Sequence, residues 1–175
     1  MKNRKLFSLL LPVLTILPGP ALATTFDGKP GATSSGHVII RMTNQNLIQI
    51  SNLSDILLER TRNGDYKGGS DACIYRNAAG SYSLTAYGSG PGGRFEISDG
   101  DMNQLDYETR FSDGARTFLL SPGAPLTGLQ NANTRSPRCT TGNNAAITIR
   151  IPASRVESAP AGNYVGGLTL IVAPE

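Results

Sequence analysis

Alternation of apolar and polar residues with a period of two is the dominant pattern along this chain. Its cleanest instance is Ile147, Ile149 and Ile151, separated by Thr148 and Arg150, which predicts a half-buried strand ended by Pro152. Tyr82, Leu84 and Ala86 alternate with Ser81, Ser83 and Thr85, and Leu105, Tyr107, Thr109 and Phe111 share one face of a further strand. Over residues 37–43, Val38, Ile40 and Met42 face one way and His37, Arg41 and Thr43 the other, with Ile39 as the exception. Short strands are also expected at 47–50, 56–58, 72–75, 95–98 and 117–120. Near the end of the chain Tyr164, Leu168, Leu170 and Val172 share a parity, with Thr169 and Ile171 opposite and Pro174 expected to stop the ladder. A final strand of this kind places the end of the sequence inside the core, and the rest of the fold is organised around it.

The intervals between these runs are turn chemistry. Residues 63–71 hold three glycines and no large aliphatic side chain, which predicts a loop, and Gly88 to Gly93 predicts a turn. Residues 121–144, with Pro122, Pro125 and Pro137, read as irregular, and 153–158 as at most one turn of helix. About nine short strands spaced near ten residues, with no amphipathic segment long enough for a helix, predict an all-β, antiparallel sandwich of the immunoglobulin type, or a barrel. The absence of Trp speaks against an antibody-like domain, and no repeat of 20 to 50 residues is visible.

Met1 to Ala23 departs from this pattern. A basic head (Lys2, Arg4, Lys5), an apolar run over 6–16, and Ala21-Leu22-Ala23 predict a secretory signal peptide cleaved before Thr24. The run is too short for a membrane anchor, which needs about 20 apolar residues, and no later stretch is long enough to span a bilayer. The leader holds three basic residues and no acidic ones, so of 16 basic and 13 acidic residues the remainder keeps 13 of each. A neutral exported protein has no basic field to draw nucleic acid or anionic membrane, and little charge repulsion to oppose self-association. Residues 24–36 are turn formers with almost no apolar content and are expected to form a flexible arm, leaving 37–175 as a single β-sandwich domain.

Two cysteines in an exported chain point to one disulfide, Cys73 to Cys139, against free thiols or half of a metal site. A metal would need further ligands, and His37 is the only histidine. His37 also lies on the polar side of its run, so a Ser-His or Cys-His nucleophile is not expected. Asp99 and Asp101 are the best carboxylate pair, yet Asp-Gly-Asp between strands is first a turn. No catalytic residue, metal or cofactor is assigned.

Four stretches together resemble the spore coat protein U domain, the pilin module of archaic chaperone-usher fimbriae: Asp71 to Asn77 (DACIYRN), Gly80 to Gly90 (GSYSLTAYGSG), Cys139 to Ile149 (CTTGNNAAITI) and Ala159 to Glu175 (APAGNYVGGLTLIVAPE). The resemblance implies an immunoglobulin-like sandwich lacking one strand. Its groove is filled first by a periplasmic chaperone and then, after an outer-membrane usher, by the amino-terminal strand of a neighbouring subunit. It implies a structural fimbrial subunit that passes through the periplasm to the cell surface. On that pattern Val38, Ile40 and Met42 are the candidate donor face, and Tyr164, Leu168, Leu170 and Val172 the strand that chaperone or subunit would grip. Typical polymerising subunits carry an extension ahead of their first strand, and only a short arm precedes His37, so 37–43 is either donated or is this domain's own first strand. The alternative function is a secreted adhesin or glycan-binding tip protein, with Tyr66, Tyr75 and Tyr87 as candidate contacts.

Overall fold

The computed structural model describes residues 25–114 and 116–175, so the leader expected over 1–23 lies outside the described residues. The described residues fall into two units that divide between Asn44 and Gln45. In the first, Phe26 and His37 form an isolated antiparallel bridge, His37 N–H donating to the Phe26 carbonyl at 3.1 Å, and their rings stack at 5.8 Å. The strand expected over 37–43 does not form. Residues 38–43 join no ladder among the described residues, and Val38, Ile40 and Met42 are 71%, 89% and 88% exposed.

The second unit is the all-β sandwich. Its larger sheet contains β1 (Ile48–Ser51), β2 (Glu59–Arg60), β3 (Tyr66–Arg76), β7 (Glu108–Ser112), β8 (Thr117–Leu119) and β10 (Ala145–Ile151). The order is β1-β3-β10-β7-β8, with β2 also on β3, and the pairings are antiparallel. The smaller sheet runs β11 (Leu168–Pro174), β4 (Tyr82–Gly88), β9 (Leu126–Leu129), and β5 (Glu96–Ser98) pairs with β6 (Gln104–Asp106). A single helical turn, α1 (Ala153–Val156), precedes the last strand. No helix among the described residues is long and apolar enough to cross a membrane.

The alternating faces meet between the sheets. Ile147, Ile149 and Ile151 of β10, Tyr82, Leu84 and Ala86 of β4, and Phe111 of β7 are all buried in one core. Leu105, Tyr107, Thr109 and Phe111 are buried as their shared parity requires. The run nevertheless divides at Tyr107, because β6 takes β5 as its partner and β7 takes β10 and β8.

Three expectations are corrected. Residues 63–71 are largely strand, since β3 passes through Gly68 and Gly69. These glycines are there because other chain segments come close: a Cβ on Gly68 would lie 2.4 Å from the Leu57 carbonyl oxygen, and one on Gly69 would lie 2.7 Å from that of Ile147. Residues 56–58 pass β3 at this close range without joining a strand. The irregular stretch 121–144 holds β9, which pairs with β4 through Tyr82 to Leu129 and Leu84 to Leu126. Gly68→Ala should therefore push the 53–58 segment outward and cost about 1–3 kcal/mol, the usual range for overpacking. A thermal or urea melt checks it, and an unchanged midpoint would mean that the close approach at Leu57 is not maintained.

The disulfide joins Cys73 of β3 to Cys139, with a Cα–Cα distance of 5.7 Å. Beside it Asn144 uses its side-chain amide as a strand would use a peptide group. Its Oδ1 accepts from Ile74 N–H at 2.8 Å, and its Nδ2 donates to the Ile74 carbonyl at 2.9 Å and to the Asn131 carbonyl. Asn131 returns a bond to the Asn144 carbonyl at 2.9 Å. The bridge and this amide together fix the 130–144 segment on β3, at the point where β10 begins.

Candidate functional site

The last strand, β11, is bonded to β4 alone. Glu175 N–H donates to the Ser81 carbonyl at 3.0 Å, so pairing continues past Pro174 instead of stopping there. In an antiparallel ladder alternate residues bond to the same neighbour. Thr169, Ile171 and Ala173 therefore bond to β4, while Leu168, Leu170, Val172 and Pro174 turn their backbone groups to the open side. Proline is tolerated at position 174 because the N–H it lacks would point at that open edge.

Across from this edge runs the 52–58 segment. Asn52 adopts a left-handed conformation (φ 63°), which asparagine tolerates better than most residues, and its amide bonds the Arg138 carbonyl and Asn143 Oδ1. The chain thereby leaves the β3 edge after β1 and regains it only at β2. In between, Ser70 of β3 substitutes for a strand partner by accepting Ser54 N–H on its Oγ at 2.9 Å. Ile56 and Leu58 turn in against the core, and Leu57 is 79% exposed.

Between β11 and this segment lies an open groove of about 350 Å³. Leu168 and Leu170 form one wall and Ile56 and Leu58 the other, and the floor is Ile147 and Ile149 of β10 with Tyr107 and Ile97. Tyr107 donates its hydroxyl to the Gly167 carbonyl at 3.1 Å, and burial holds that phenol above its ordinary pKa, so it stays a donor. The groove is lined with aliphatic side chains below and unpaired strand backbone at its rim. An open strand edge above an apolar floor is the kind of feature to which a further β-strand adds, and among the described residues no group of His, Cys, Asp and Glu side chains could hold a metal ion.

One end of β11 is held by Arg76, a residue that the sequence reading did not single out. It is buried, and its guanidinium bonds Asn46 Oδ1 at 3.1 Å, the Ser81 carbonyl and the main-chain oxygen of Glu175 at 3.0 Å. Its parity with Ala72 and Ile74 in β3 was the available signal, since a residue on the same face as two buried ones must also point inward. Arg76→Met should lower stability by about 1.5–3 kcal/mol, the range for a charge-assisted hydrogen bond. It should also speed amide exchange at Glu175 more than in β10. Uniform loss across the sandwich would mean that Arg76 does not anchor β11 in particular.

Of the residues assigned to the gripping strand, Leu168, Leu170 and Val172 are half-buried on the inner face of β11, and the first two line the groove. Tyr164 is not among them. It precedes the strand, which begins at Leu168, and its hydroxyl bonds the Pro160 carbonyl at 3.0 Å. An isolated bridge between Val165 and Ser98, followed by Gly166 and Gly167, breaks the parity that the sequence extended back to it. Asp99 and Asp101 form a turn: Asp99 accepts Asp101 N–H at 2.9 Å and Asn103 Nδ2 at 2.7 Å, and the Asn103 bond chiefly holds its pKa below the ordinary carboxylate value. Tyr66 and Tyr75 stand near opposite ends of β3, and Tyr87 on β4 packs over Gly93 and Gly123, so the three do not converge.

No family model matches the chain, so the likeness to the spore coat protein U domain rests on the motifs themselves. No curated protein matches it. Among solved structures the chain is similar to a chaperone–tip adhesin complex of CFA/I fimbriae biogenesis, at 22% identity and a TM-score of 0.53 over 73% of this chain and 41% of that one. A second similar structure is CfaE, the adhesive subunit of the CFA/I fimbria of enterotoxigenic Escherichia coli, at 18% identity and a TM-score of 0.47 over 67% of this chain and 38% of that one. The first likeness establishes a shared immunoglobulin-like sandwich fold. The chain spans about two fifths of the length of each.

Proposed function

We propose that this protein is a structural subunit of a bacterial surface fimbria and that its groove takes a β-strand from another molecule. The observation that carries the reading is the open lane between β11 and residues 52–58, where the unpaired edge of β11 borders a largely aliphatic floor. The arm supplies the complementary feature. Val38, Ile40 and Met42 are spaced to fill such a lane on one side of an extended strand, and they are exposed in the single chain. On this reading 38–43 joins no ladder among the described residues because its partner is a neighbour's groove. The disulfide is in keeping with export through an oxidising compartment. A periplasmic chaperone would hold the groove first, an outer-membrane usher would pass the subunit on, and the next subunit's arm would replace the chaperone. Mass analysis of material sheared from the surface of producing cells tests the proposal. A ladder of multiples of this chain is expected, and its presence only as a single unlinked chain would count against it.

A further inference from the structure

We propose that the register of the seated strand is set by an ion pair between Arg41 of one copy and Asp55 of the next. This rests on the reading of 37–43 as the donated strand and adds to it the feature that decides where the strand stops sliding. With Val38, Ile40 and Met42 turned into the groove, His37, Ile39, Arg41 and Thr43 face outward. On the receiving side Ile56 and Leu58 turn in, so Asp55 and Leu57 share the outward face. A slip of one residue would turn the apolar set out to water and is excluded by burial alone, whereas a slip of two preserves the pattern. The hydrophobic face cannot choose between registers two residues apart.

The charges can. Asp55 is the only acidic or basic side chain lining the groove, and Arg41 is the only Lys, Arg, Asp or Glu of 37–43. The outward positions of β11 on the far side are Thr169, Ile171 and Ala173, which offer Arg41 no charge. Both Arg41 and Asp55 are exposed, and among the described residues neither makes an ion pair or hydrogen bond. Placing Arg41 opposite Asp55 also accounts for Ile39, the apolar exception on the arm's polar side. Ile39 then lies opposite Leu57 if the two segments run antiparallel, or opposite Leu53 if they run parallel. These leucines are 79% and 48% exposed. One register thus pairs the lone charges and covers an exposed leucine in either direction of insertion.

The test measures binding of a labelled His37 to Thr43 peptide to the full chain, using fluorescence anisotropy. Charge reversal in the peptide (Arg41→Asp) or in the chain (Asp55→Arg) should each weaken binding by about two- to tenfold, as expected for a cross-strand charge pair. Combining the two reversals should restore it. The differences should shrink in about 1 M NaCl, where the screening length is ~3 Å. Substitution in the peptide leaves the receiving fold untouched. Should Asp55→Arg fail to fold, Asp55→Asn serves instead, and the Arg41→Asp peptide should then bind it more tightly than it binds the unaltered chain. Binding that ignores the reversals, or that the double reversal fails to restore, overturns the ion pair while leaving strand donation standing. No saturable binding of the unaltered peptide overturns both.

Discussion

Replacing Ile40 with Asp should leave the sandwich folded and stop copies from joining. In the single chain Ile40 is 89% exposed, so the substitution removes no packing from the folded unit. In a neighbour's groove the same side chain would face the aliphatic floor of Ile147 and Ile149, with Leu170 beside it. A carboxylate there has no partner and must either remain charged or take up a proton at neutral pH. Burial of such a group costs about 3 kcal/mol or more, which corresponds to at least about a hundredfold weaker association. Size-exclusion chromatography beside a thermal melt separates the two effects: the midpoint should hold while the multimers disappear. Multimers that persist unchanged would mean that Ile40 does not enter the groove.

The second large effect is expected inside the domain. Converting Cys73 and Cys139 together to Ser frees a loop with a sequence separation of 66 residues. In the chain-entropy description this lowers stability by about 4 kcal/mol. For a domain of this size that corresponds to a fall of roughly 10–15 °C in Tm. The structural consequence should be local first. The bridge pins the 130–144 segment to β3, and the bonds of Asn144 to Ile74 depend on that segment staying in place. Equal midpoints with and without reductant would show that the covalent link contributes nothing.

How much of this was legible in the sequence depends on where each residue's partner lies. Strands with one wet and one dry face declare themselves by parity, which is why the β10 isoleucines, the β4 triplet and the buried quartet from Leu105 to Phe111 were readable. Gly68 and Gly69 misled for a physical reason. Glycine ordinarily signals a turn, but here it makes room for the Leu57 and Ile147 carbonyls, and that demand comes from chain segments distant in sequence. The groove itself was only half legible. The inner face of β11 could be read from Leu168, Leu170 and Val172, whereas the opposite wall was legible only as a short strand at 56–58, because residues 52–58 join no ladder and are held instead by side-chain bonds of Asn52 and Ser70. Arg76 was overlooked because a charged residue is by default assigned to water. Its buried position is set by three oxygens from separate parts of the chain, one of them at Glu175. The alternation of Val38, Ile40 and Met42 was visible, but periodicity gives the shape of a strand and not the molecule in which it pairs.

Backbone amide exchange along β11 tests the strand-accepting groove most directly. In the isolated chain the N–H groups of Leu168, Leu170 and Val172 should exchange quickly while those of Thr169 and Ile171, bonded to β4, are protected; adding the His37 to Thr43 peptide should then slow the first set. Equal protection of both sets before any peptide is added would mean that the edge is already filled, and the idea of a borrowed strand would fall.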